Sequence, residues 1–156
     1  MGSKERLYAD VMAVHPGVTG SCNLVIAKLP DYTTTKFIVD CGLFQETKYN
    51  KLNESLPFIP QNIDFALVTH NHVDHVGRLP YLVHQGYQGP IFITETTAKL
   101  LPLALEDSHK VLRDVAKRQN RPCMYSEADV AQTLRLVSPC GYDETIQVAP
   151  NIRATF

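Results

Sequence analysis

Short apolar runs broken by turn residues dominate the first part of the chain. "ADVMAVHPG" runs into Pro16-Gly17, "NLVIAKL" ends at Pro30-Asp31 and "KFIVDCG" ends at Gly42, a pattern that predicts three strands in a meander. Residues 50–62 hold Pro57 and Pro60 among polar positions and read as a surface loop. Ile63 to Thr69, "IDFALVT", is nearly continuous in apolar residues and predicts a buried strand. Beyond it, Pro80 suits the first turn of a helix and Gly86 suits its end. "PIFIT" predicts another buried strand, and residues 95–119 predict helix, interrupted or kinked at Pro102. Ser126 and Asp129 have capping-box spacing ahead of a helix through "VAQTLRLV". "TIQVAPNIRATF" predicts two strands about a Pro-Asn turn. Strands and helices alternate after residue 63, so the fold class is mixed α/β rather than a bundle.

Composition narrows the picture. The 156 residues are enough for one sizeable core and short for two, and 44% hydrophobic with 20% charged residues is globular rather than disordered. A formal net charge of -1 gives no overall basic field for nucleic acid, although a local patch is compatible with it. Cys22, Cys41, Cys123 and Cys140 form no C-x-x-C pair, so a zinc ribbon or a thioredoxin-type motif is excluded, and reduced, buried thiols are expected. No run is long enough to span a membrane, "MGSKERLYAD" lacks the apolar core of a signal peptide, and Arg6 stands where a myristoylation motif needs Ser or Thr. A cytoplasmic protein is the expectation.

The chemistry concentrates in "VTHNHVDHVG", residues 68–77, where half of the six histidines and one aspartate fall within six positions. At this chain's composition H-x-H-x-D-H arises by chance in on the order of one sequence in two thousand. While the backbone stays extended past the strand, His70, His72 and Asp74 face one way, and His75 follows as the chain turns into its helix. Imidazole and carboxylate are zinc ligands. The competing reading is a polar loop of mutually hydrogen-bonded histidines, which repel one another when protonated and gain little without a metal.

"THNHVDHVG" resembles the H-x-H-x-D-H signature of the metallo-β-lactamase fold. The resemblance implies that His70 and His72 bind a first metal and that Asp74 and His75 bind a second. It implies zinc, two ions in the complete domain, with a hydroxide held between them. "GVTGSCNLVI" followed by "FIVDCGLFQ" is similar to the opening of the β-CASP branch of RNA-processing and DNA-repair nucleases, in which a strand-terminal aspartate, here Asp40, orients the metal ligands. On local grounds alone, Asp-Cys-Gly at a strand end is a turn former. "LEDSHKVLRDVAKRQNRPCMYSEADV" also resembles that branch, an amphipathic helix being the plainer explanation.

The family's later ligands, a third histidine, a bridging aspartate and a final histidine, have no counterpart here, since no histidine follows His109. His15, His84 and His109 read as ordinary histidines. Residues 1–156 are therefore expected to be the N-terminal αβ half of a metallo-β-lactamase αββα sandwich, with the rest of the domain and the β-CASP cap absent. The expected activity of the full-length parent is cleavage of RNA phosphodiester bonds, DNA second, by a metal-activated hydroxide, with Asp40 and Asp74 in catalytic roles. The alternatives are a thioester, lactone or β-lactam hydrolase of the same fold, and a non-catalytic scaffold. The isolated fragment is expected to be inactive, to bind zinc weakly or not at all, and to self-associate or pair with the remainder of its fold.

Overall fold

The computed structural model describes residues 8–14, 18–29 and 31–156. The strand expected before Pro16-Gly17 is β1 (Tyr8–Ala13), and the next two are β2 (Asn23–Lys28) and β3 (Thr34–Val39), paired antiparallel with Val25 between Val11 and Phe37. His15 lies outside the described residues. The chain then changes direction of growth. β3 pairs parallel with β4 (Phe65–Leu67), β4 with β5 (Ile91–Thr94) and β5 with β6 (Val137–Cys140), giving one six-stranded sheet in the order β1 to β6. Parallel neighbours need crossovers. Between β4 and β5 these are α1 (Val73–Val76) and α2 (Leu79–His84); between β5 and β6 they are α3 (Glu95–Arg118) and α4 (Glu127–Arg135). β7 (Thr145–Ala149) and β8 (Ile152–Thr155) form a separate hairpin, with Asn151 in the left-handed region at φ 62°.

Local signals account for most boundaries. Pro80 sits in the first turn of α2, where its missing N–H leaves no bond unmade, and Gly86 follows the helix at φ +99°, a conformation that favours glycine. The capping box at Ser126 and Asp129 is formed in both directions. α3 is one element through Pro102: Thr94 caps its start, and burial of Leu101 and Leu105 outweighs the single backbone bond the proline removes.

Besides the uninterrupted α3, two expectations change. Residues 50–62 are not a plain surface loop but carry 3-10 turns at Thr47–Glu54 and Pro60–Asn62, with Asn53 and Pro60 buried. The Asn53 side-chain amide accepts from the Phe44 N–H (2.8 Å) and donates to the Phe44 carbonyl (3.1 Å), replacing a strand neighbour. The last helix stops at Arg135, so Val137 opens β6 instead of ending α4. Pro139 is tolerated there because β6 lies at the sheet edge.

One sheet face carries Leu24, Ile38, Ala66, Val68, Ile91 and Ile93 into a core shared with Leu79, Leu82, Leu101, Leu105 and Val130 of the helices. By strand alternation, the opposite face carries Val11, Val25, Phe37, Phe65 and Phe92. Phe37 stacks on Phe65 at 4.5 Å between ring centroids, and Phe65 meets Phe92 edge-on at 6.0 Å.

Candidate metal centre

The carboxyl ends of the parallel strands β3 and β4 converge on one crevice, the place where open α/β sheets gather polar side chains. Asp40 follows β3 and Thr69 to His75 follow β4. Asp40 is only 2% exposed and stands in the left-handed region at φ 65°, which an aspartate tolerates better than most residues. Its carboxylate is fully used. Thr69 donates to Oδ1 from its backbone N–H (2.9 Å), and its hydroxyl lies 3.0 and 2.9 Å from the two carboxylate oxygens. His75 Nδ1 lies 2.8 Å from Oδ2.

These bonds set the imidazole tautomers. A carboxylate only accepts, so His75 donates from Nδ1, and Nε2 is the ring nitrogen turned to Asp74, 3.7 Å from its Oδ2. With the Thr69 hydroxyl proton directed to Asp40, His70 Nδ1 donates to Thr69 Oγ1 at 3.0 Å, and its Nε2 is likewise left as a donor atom for a metal. The His70 ring centroid lies 4.6 Å from that of His72 and 3.9 Å from that of His75. Desolvation, then repulsion from His75 and His72, holds the His70 imidazole below its usual pKa, which favours the neutral, ligating form.

The backbone under these side chains is pinned from both sides. Ser21 N–H donates to Asp74 O (2.8 Å), Cys41 N–H to His75 O (2.8 Å) and Leu43 N–H to Val73 O (3.0 Å). Gly42 has no room for a side chain, because a Cβ there would stand 1.6 Å from Asp74 O. The structure thus gathers all five residues singled out in the sequence, Asp40, His70, His72, Asp74 and His75. In kind, imidazoles and carboxylates suit a divalent ion such as zinc. In number they fall short, since among the described residues no three His, Cys, Asp or Glu side chains form a group able to hold a metal. His84 is engaged by Asp129 (3.1 Å), and the buried His109 stacks on Tyr125 at 5.6 Å.

Two supporting residues, Thr69 and Arg78, were not singled out by sequence reading, and Tyr125 was reached only as part of a stretch resembling the β-CASP branch. A cation within the apolar run "VGRLPYLV" was the available signal for Arg78, which is 1% exposed. Tyr125, in the "YSEADV" stretch, donates its hydroxyl to Gly77 O at 3.3 Å, so that stretch braces the donor loop from below. Beside the donors opens a cavity of about 1340 Å³, lined by Phe44, Asn71, His72, Asp74, Ser108 and Arg121 among others. An ion pair between Arg121 and Glu54, both on its lining, ties α3's end to the 3-10 segment.

A mixed sheet with paired histidine and carboxylate donors at its strand ends defines a class of metallohydrolase fold, and the family match agrees: residues 17–121 match the model described as "Metallo-beta-lactamase superfamily". The chain belongs to that superfamily. It is 34% identical over 131 residues to "Ribonuclease TTHA0252" of Thermus thermophilus, covering 84% of this chain and 27% of that protein. It is also 34% identical over 127 residues to "Transcription termination factor FttA" of Methanosarcina mazei, covering 78% of this chain and 19% of that protein. Among solved structures it resembles MEM-A1, a subclass B3 metallo-beta-lactamase from a soil metagenome library, with a TM-score of 0.46, 14% identity, and coverage of 92% of this chain and 46% of that one. The chain therefore spans about a quarter or less of the two curated relatives named.

Proposed function

We propose that residues 1–156 are the N-terminal portion of a metallo-β-lactamase domain of the β-CASP branch, and that the full-length protein is a zinc-dependent nuclease cleaving RNA phosphodiester bonds. The observation that carries this reading is the Asp40 carboxylate holding His75 by Nδ1, so that Nε2 faces Asp74. That arrangement prepares an imidazole for ligation and is more than a turn requires. The name of the Thermus thermophilus relative, a ribonuclease, supports RNA over DNA as the substrate.

His70 and His72 would hold one ion, and Asp74 and His75 the other, each site completed by residues outside this chain. When bound, such ions supply a nucleophile at neutral pH and positive charge against a phosphoryl oxygen. The chain's own contribution is orientation: Asp40 and Thr69 fix two imidazoles, and the Ser21, Cys41 and Leu43 amides fix the main chain that carries them. With these ligands incomplete, the isolated 156 residues should be inactive and bind zinc weakly. A cytoplasmic setting goes with this reading, because all four cysteines are free and three of them are buried.

The test is cleavage of single-stranded RNA by the full-length protein and its Asp74→Ala variant. Asp74 lies in a loop-borne short helix with its side chain toward His75, so its removal should abolish cleavage with little change in the unfolding midpoint. Efficient cleavage of a lactone or thioester with RNA left intact would reject the proposal.

A further inference from the structure

Arg78 follows the donor loop directly and is 1% exposed, yet no described carboxylate pairs with it. Its partners are carbonyls and a ring. Nε donates to Gly42 O at 2.6 Å, and Nη1 donates to Leu52 O and Ser55 O, both at 3.1 Å. The guanidinium carbon lies 4.6 Å from the centroid of Phe44, and Nη2 is buried without a partner. Its own backbone N–H donates to Cys41 O at 2.8 Å.

A hydrocarbon of similar volume would fill this space without desolvating a charge. What the guanidinium adds is direction, shared between two strips of chain, Gly42 on one side and Leu52 with Ser55 on the other. Residues 40–43 carry Asp40 and lie between Ser21 on one side and residues 73–78 on the other. Gly42 touches the Asp74 main chain, and its carbonyl is the one that Arg78 grips most closely. The other arm takes carbonyls at the end of the first 3-10 turn, where a cation is favoured, and so fixes the wall of the cavity beside His72 and Asp74.

We propose that Arg78 is a positioning residue for the metal centre, a buried fork that locks the Asp40–Leu43 strip against the Val73–Arg78 backbone and thereby sets where Asp74 and His75 stand. This rests on the reading of residues 70–75 as the reaction centre, but its test is independent of activity. Lysine keeps the charge but presents one ammonium in place of a planar fork, so it cannot bridge Gly42, Leu52 and Ser55 together.

The measurement is hydrogen exchange by mass spectrometry on the full-length protein and its Arg78→Lys and Arg78→Met variants. Segment 40–44 holds the Cys41 and Leu43 amides bonded to the donor loop, while segment 65–69 holds the Ala66 and Val68 amides bonded to Pro90 and Phe92 in the sheet. Both variants should speed exchange in 40–44 by about tenfold or more while 65–69 stays nearly unchanged, the signature of a local opening. Equal acceleration in both segments would mean that Arg78 contributes only general stability, and no acceleration in 40–44 would mean that it positions nothing; either result overturns the proposal. If Arg78→Met fails to fold, Arg78→Lys makes the same comparison. In the wild-type protein 40–44 must itself be protected, and exchange there at free-loop rates would refute the proposal without any variant. Loss of protection in 40–44 without any RNA cleavage by the wild type would retain the positioning role and reject the nuclease reading alone.

Discussion

Replacing Asp40 by asparagine isolates the role of one buried carboxylate. The exchange keeps the shape and keeps a residue that tolerates the left-handed backbone at φ 65°, which alanine would strain. It changes the hydrogen-bonding inventory and removes the buried negative charge. Asp40 accepts from the Thr69 N–H at 2.9 Å, from the Thr69 hydroxyl and from His75 Nδ1 at 2.8 Å. Asparagine has one accepting oxygen. If that oxygen stays on the Thr69 N–H, its NH2 faces His75 Nδ1 and forces the imidazole proton to Nε2, the atom that faces Asp74. If the amide turns round, NH2 meets the Thr69 N–H and two donors oppose each other. Either way a charge-assisted bond is lost in a site that is 2% exposed, a loss of about 1.5–3 kcal/mol. Stability should fall by about that amount, and cleavage by the full-length protein should fall about 10- to 100-fold, the range for a partner that orients a ligand rather than supplying one. Imidazole nitrogen NMR reads the outcome directly, since the His75 proton should move from Nδ1 to Nε2. An unchanged His75 tautomer together with unchanged stability would show that the Asp40–His75 bond does not organise the site.

Other expectations follow from the same structure. Ser126→Ala removes one half of the α4 capping box and should lower stability by about 1 kcal/mol in urea denaturation; a change near zero would mean that tertiary packing alone holds the start of α4. Burial pushes the Tyr125 phenol up to about 12, so its contribution is intact below the unfolded value near 10 and is lost as pH rises from there towards 12. Phenolate absorbance and stability measured together across that window check this, and early ionisation of Tyr125 would count against its burial. The isolated 156-residue chain should self-associate through its second sheet face and the β1 edge, where Val11 is 67% and Met12 48% exposed. Sedimentation should show association that rises with concentration, and a monomer at all concentrations would refute it.

The parts of the site that were legible in the sequence are the contiguous ones. His70, His72, Asp74 and His75 fall within six positions just after one strand, so their closeness was legible, although the chain is already helical from Val73 and does not stay extended through Asp74. Asp40 was reached only by resemblance, because it meets His75 across 35 positions through the parallel pairing of β3 with β4, which no local pattern encodes. Arg78 and Gly42 are 36 positions apart, and the arginine's burial depends on the 3-10 segment that proline spacing had suggested was a surface loop. β6 was hidden for a different reason: four residues containing a proline carry too little strand signal, and only its pairing with β5 creates the element.

That division has a physical cause with a consequence for how the centre works. Donor atoms can be supplied by a short loop, but a loop alone leaves imidazoles free to rotate and exchange tautomers. Fixing them takes acceptors that come from elsewhere in the sheet and are buried enough to hold their direction, as Asp40 is. Such an acceptor is in place only when β2, β3 and β4 are in register, because Ser21, Cys41 and Leu43 contact the donor loop through the strand ends that this register aligns. The orientation of the His75 imidazole is thus a property of the folded sheet and not of the H-x-H-x-D-H segment, and a peptide spanning residues 68–77 alone should not reproduce its tautomer.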